Sequence, residues 1–172
     1  VFHWSYGWDK VAQKSWNRKG KSLNQQQNYG YLGREVSISA DGNTLASGAF
    51  SVGQWDQGLV RVWTWSDDDW VERGDAIHGR NKFEALGGFL SLSADGNVVA
   101  AGSVIGFVTI FSRPTGTTSW TDTVISAPAE AALFGASVSL SADGKRVAVG
   151  APGAGAARAG ATYVYDLSTF DV

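Results

Sequence analysis

Short runs of alternating apolar and polar residues recur along the chain, and no segment sustains a 3.6-residue apolar period. Val36-Ser37-Ile38-Ser39, Leu90-Ser91-Leu92-Ser93 and Val138-Ser139-Leu140-Ser141 each alternate with period two, as a strand with one buried face requires. Each run leads into the same tetrapeptide, Ser-Ala-Asp-Gly, starting at Ser39, Ser93 and Ser141. A second apolar run then ends in a small pair: Gly48-Ala49, Gly102-Ser103 or Gly150-Ala151. Asp-Gly between two such runs marks a hairpin. Whether the turn is type I′ or type I followed by a bulge, its Gly takes φ > 0. Alanine there would cost roughly 1–2 kcal/mol, because its Cβ collides with backbone in the left-handed region.

A third strand follows each hairpin: Val60–Trp65, Phe107–Phe111 and Ala161–Tyr165. A fourth begins near Trp70, after Ser66-Asp67-Asp68-Asp69, and near Trp120, after the turn at 114–119. Val1–Tyr6 and Trp8 read as the third and fourth strands of an earlier, truncated unit. Four strands in about 50 residues are the content of one β-propeller blade. The expected fold is therefore all-β, with blades of four antiparallel strands and about three to three and a half blades in all. Residues 1–30 form a partial first blade and a polar loop, and 31–85 and 86–133 are full blades. Residues 134–172 are a last, incomplete blade. Closed propellers typically take about 4–8 blades, so the chain is expected to belong to a larger propeller or to be capped by another chain. That it opens on Val1 fits a processed or longer polypeptide.

Composition narrows the function. Fourteen Lys and Arg against sixteen Asp and Glu give a net charge of −2, which does not favour a nucleic-acid partner. The excess of base lies at the start, where Lys14, Arg18, Lys19 and Lys21 surround Trp16; a solvated loop face is the expectation there. No Cys and only two His remove thiolate metal sites, cysteine nucleophiles and multi-histidine metal centres. The least polar stretch, 98–111, is too short to span a membrane as a helix. Gly20-Lys21-Ser22 lacks the first Gly and the strand–helix context of a phosphate loop, and no Gly-x-Ser-x-Gly elbow occurs. His3, in a strand, and His78, in a loop, have no triad spacing. Trp63, Trp65 and Trp70 are expected to pack across strands.

The third unit reads Phe134-Gly135, then Asp143-Gly144, then Gly150-Ala151-Pro152, and ends in Gly160–Tyr165. It resembles the FG-GAP repeat of integrin-alpha-type β-propellers. The earlier units carry Leu32-Gly33 and Leu86-Gly87 in place of Phe-Gly, and Gly48-Ala49-Phe50 and Gly102-Ser103-Val104 in place of Gly-Ala-Pro. WD40-like propellers are the weaker resemblance, since the spacings of 54 and 48 residues exceed their period and no Trp-Asp closes a third strand. The FG-GAP likeness implies a β-propeller, commonly with Ca²⁺ held in the loop between second and third strands. Here those loops are 50–58, 104–106 and 152–160, and they offer one carboxylate, Asp56. A cation wanting six to eight oxygens is not served by that, so no metal and no cofactor is expected. Asp67-Asp68-Asp69 reads as a solvated hairpin tip.

The remaining expectation is a non-catalytic protein–protein interaction or structural module, a subunit or fragment of an extracellular, cell-surface or organelle-lumenal assembly. Its partners would be other protein chains, either further blades or a neighbouring subunit. Phe50 and Trp55, two large aromatics in one loop, are the candidate partner-binding residues. The alternative is a lectin-like, carbohydrate-binding propeller that uses the same aromatics on a glycan.

Overall fold

Period-two alternation and the Asp-Gly turns fold the chain into successive antiparallel sheets. The structure is a computed structural model and describes residues 17–24 and 30–168. The expected strand at Val1–Tyr6, with His3, Trp8, Trp16 and most of the polar run 24–28, lies outside the described residues. The first sheet runs β1 (Val36–Ile38), β2 (Thr44–Ala49), β3 (Leu59–Ser66) and β4 (Asp69–Glu72), with β5 (Ile77–His78) also paired to β3. The second runs β6 (Phe89–Leu92), β7 (Val98–Gly102), β8 (Phe107–Ser112) and β9 (Thr121–Ser126). The third holds β10 (Ser137–Leu140), β11 (Arg146–Ala151) and β12 (Ala161–Asp166). Each is a meander in which sequence neighbours pair antiparallel. His78, expected in a loop, is instead in β5 opposite Leu59; a two-residue strand is too short to show alternation.

The three hairpin turns share one construction. Gly42, Gly96 and Gly144 have φ of 69°, 71° and 69°, while the Asp before each does not reach positive φ. The turns are therefore type I with a following bulge, not type I′. In the first, the Ser39 hydroxyl donates to Asp41 at 2.6 Å, and the Asn43 amide donates to the same carboxylate at 2.9 Å. The Thr44 amide returns a bond to Ser39 Oγ at 2.8 Å. Ser93, Asp95, Asn97 and Val98 repeat this, as do Ser141, Asp143, Lys145 and Arg146. The serine hydroxyl, then the backbone amide, holds Asp41 and Asp143 below the usual carboxylate range. At Asp95 burial pushes the other way, but the bonds from Ser93 and Asn97 outweigh it.

Two cores stand between the sheets. Ala46, Val60 and Val62 of the first pack on Leu90, Leu92, Val99 and Phe111 of the second. Val98, Ala100, Val108 and Ile110 of the second pack on Val147 and Val149 of the third. Burying each Val or Leu contributes about 1.5–3 kcal/mol, so these two layers dominate the cohesion of the sheets. Phe134 is fully buried, with Tyr163 and Tyr165 set edge-on at 5.7 and 6.1 Å. Polar contacts repeat along with the cores. The Leu92 amide donates to Ser37 Oγ and the Leu140 amide to Ser91 Oγ, both at 3.0 Å. The Ala40 amide donates to Ala94 O and the Ala94 amide to Ala142 O, both at 2.9 Å. Backbones approach closely at Gly48 and Gly102. A Cβ there would stand 1.8 Å from Gly87 O and 2.0 Å from Gly135 O respectively, so only glycine fits.

Candidate functional site

Loops from two places in the unit converge at one end of the sheets. The β2–β3 loop of the first sheet and the β7–β8 loop of the second both meet the segment that leads into the second sheet. The Phe83 amide donates to Trp55 O at 2.7 Å, and the Ala85 amide to Asp56 O at 2.9 Å. The Ser103 hydroxyl and Val104 amide both donate to Glu84 O. In the third unit, the Gly155 amide donates to Glu130 O and the Gly153 amide to Ala132 O.

Phe50 and Trp55 both lie at this end, but each pairs with a different ring. Phe50 stacks on Tyr31 at 5.2 Å, with the Arg34 guanidinium 5.8 Å from its ring centre. Trp55, 42% exposed, meets Phe83 edge-on at 6.2 Å and carries Lys82 Nζ 4.5 Å above its ring. Tyr31 and Phe83 were not singled out from the sequence, because nothing in their local pattern distinguishes a loop aromatic that meets another loop. Val104, Ile105 and Leu133 extend the exposed apolar surface at the same end.

Backbone strain fixes this surface. Tyr31, Ala85 and Leu133 each stand two residues before Gly33, Gly87 and Gly135, with φ of 52°, 52° and 60°. Left-handed backbone at non-glycine residues costs on the order of 1–2 kcal/mol each, and persists where packing over-determines it. The residue that follows, Leu32, Leu86 or Phe134, turns inward and supplies that packing. Glu84 adds a polar clamp. It is buried, and its Oε2 accepts from the Arg80 amide at 2.8 Å, the Asn81 amide at 2.8 Å and Asn81 Nδ2 at 3.2 Å.

The other sequence candidates fall elsewhere. Asp67 and Asp68 are exposed at the β3–β4 turn with φ of 50° and 62°, and Asp69 pairs with Lys21 at 2.6 Å. Lys21, the lysine of the Gly-Lys-Ser string, is thus held on a carboxylate. Its lysyl bond and the Trp70 amide keep the Asp69 carboxyl below its ordinary value. Trp65 faces Trp70 across β3–β4 at 5.4 Å, with Lys19 Nζ 4.4 Å over Trp65 and the Trp70 indole donating to Lys19 O. The segment 152–160 forms a 3₁₀ turn at Ala156–Arg158. A cleft of about 430 Å³ opens at the hairpin-turn end, lined by Asp95, Asn97, Arg113, Asp143 and Lys145. Among the described residues, no group of three or more His, Asp or Glu is placed to hold a metal ion. No helix among them is long and apolar enough to cross a membrane. No family model matches the chain, and no curated protein matches it.

Proposed function

We propose that the three sheets are consecutive blades of a partial, FG-GAP-type β-propeller, and that the chain is a non-catalytic module that binds protein through its aromatic loop end. The observation that carries this reading is the pair of aromatic clusters, exposed Tyr31 with half-buried Phe50 and exposed Trp55 with Phe83, on strained, hydrogen-bonded loops. Rigid aromatic anchors lose little entropy on binding, and such residues concentrate binding energy at interfaces. Arg34 and Lys82 beside the rings favour a segment that combines apolar side chains with carboxylates. Clients of this kind suit a subunit of an extracellular, surface or lumenal assembly.

A glycan-binding reading rests on the same Trp55. It is weakened by Lys82, which occupies one face of the indole where a sugar would stack, and by Phe83 at its edge. The two readings separate in paired screens of the immobilised chain against a random-peptide library and a glycan array. Acidic-aromatic peptides are expected to be enriched and to be lost on Trp55→Ala or Phe83→Ala, with Tm within about 2 °C of wild type, since both side chains are surface-exposed. Glycan hits abolished by Trp55→Ala would favour the lectin reading. Blank results in both screens would refute a binding role for this end.

A further inference from the structure

Glu84 is only 3% exposed, and its hydrogen bonds all fall on one oxygen. Oε2 accepts from the amides of Arg80 and Asn81 and from the Asn81 side chain, while among the described residues no hydrogen bond is made to Oε1. The two cations of the same loop are engaged elsewhere. Arg80 turns its guanidinium to Asp122, with bonds of 2.7 and 3.0 Å, and Lys82 stands over the Trp55 ring. No Lys, Arg or His among the described residues forms an ion pair with Glu84. A buried charge ordinarily has such a partner, because its loss of water is otherwise uncompensated. Nor does the turn itself require a carboxylate. Glu84 directly precedes left-handed Ala85, and before left-handed Tyr31 and Leu133, in the equivalent turns, stand Gly30 and Ala132.

Glu84 lines a cavity of about 100 Å³ in the gap between the first and second sheets, together with His78. Phe107 and Phe111 of β8 and Val124 of β9 give it an apolar wall, and Val124, 49% exposed, leaves it open to solvent. We propose that this cavity binds a primary alkylammonium group, carried by a lysine side chain or a free alkylamine, with the charge held on Glu84 Oε1. An ammonium supplies both a positive charge and N–H donors, the two things that Glu84 lacks. Its aliphatic stem suits the apolar wall, and the phenyl rings there favour a cation over an anion. The size agrees. At about 15 Å³ for each group the size of a water or a methylene, the cavity takes about six, and four methylenes with an ammonium need five. Arg80 also lines the cavity, but its ion pair with Asp122 offsets its charge toward an incoming cation. The site shares no lining residue with the clusters of Tyr31, Phe50, Trp55 and Phe83, so it does not rest on the aromatic loop end.

Titration of the ¹⁵N-labelled full chain with n-butylammonium chloride tests this by NMR. Saturable shifts are expected at the amides of Arg80 and Asn81, which donate to Glu84, and along Phe107–Phe111, with a millimolar Kd as befits so small a ligand. n-Butanol, without the charge, and butyrate, with the opposite one, should give none. Nα-acetyl-lysine methylamide separates the two sources: binding at least as tight as that of butylammonium assigns the site to a lysine side chain, and binding by butylammonium alone assigns it to a free amine. Glu84→Gln keeps an acceptor for the Arg80 and Asn81 amides but loses the charge, and is expected to weaken binding at least tenfold. Val124→Trp, at an exposed strand position, blocks the cavity without touching Glu84 and should abolish binding with unchanged circular dichroism. Trp55→Ala should leave amine binding as it is, whatever it does to peptide binding. Shifts no larger than those with butanol, or equal binding by Glu84→Gln or Val124→Trp, would overturn the proposal.

Discussion

Single carboxylates carry much of the local order. Asp41, Asp95 and Asp143 are each held below the ordinary value near 4 by a serine hydroxyl and a backbone amide. A carboxyl whose folded pKa is depressed stabilises the fold fully above its unfolded value, and that contribution is lost as pH falls through the folded one. Tm is therefore expected to stay level from pH 7 to about pH 5 and to fall below about pH 4. Scanning calorimetry across that range checks this, and a Tm steady to pH 2.5 would contradict it. Glu84 is the second residue-scale test. Glu84→Ala removes the acceptor for two backbone amides and the Asn81 side chain, and is expected to cost about 2–3 kcal/mol, or some 5–10 °C in Tm. Glu84→Gln, which keeps an acceptor oxygen, is expected to lose less than half of that shift.

At the scale of elements, close backbone approach and large buried rings set the limits on change. Gly102→Ala places a methyl 2.0 Å from Gly135 O, between two sheets that cannot part without opening a core. Overpacking of this kind costs about 1–3 kcal/mol or more, so a drop of at least 3 °C in Tm is expected. Gly150→Ala, at the same place in β11, is the internal comparison: its methyl comes no nearer than 3.2 Å to the Ser137 Cβ, and it is expected to lower Tm less than Gly102→Ala. Phe134→Ala empties the fully buried site between Tyr163 and Tyr165, at a cost of about 3–5 kcal/mol. Denaturant unfolding should show that loss with an unchanged m-value.

For the whole molecule, the two ends of the sheets differ in chemistry. Asp-containing turns form one end, and exposed Tyr31, Trp55, Phe83 and Leu133 crowd the other. Adding a chelator is expected to leave Tm unchanged, since the β2–β3, β7–β8 and β11–β12 loops bring together a single carboxylate, Asp56, hydrogen-bonded to Ser51 at 2.5 Å. A fall of several degrees in a thermal melt would reveal a cation held through backbone carbonyls.

Much of the strand framework could be read from residue order alone. Alternation placed β1, β6 and β10, and the repeated Ser-Ala-Asp-Gly placed the turns, because period two and left-handed glycine are local demands of the backbone. The pairing of Trp65 with Trp70 was legible for the same reason, since a tight turn forces the two residues opposite one another. Tertiary structure decided the rest. The turn type depended on how Ser39 and Asp41 divide their hydrogen bonds, and β5 exists only because β3 offers it an edge. That Phe50 meets Tyr31 while Trp55 meets Phe83 follows from segments of one repeat that are distant in sequence converging, which no local pattern records. The role of Gly48 and Gly102 was hidden in the same way. A glycine in a strand is ambiguous until the neighbouring backbone that excludes its Cβ is in place.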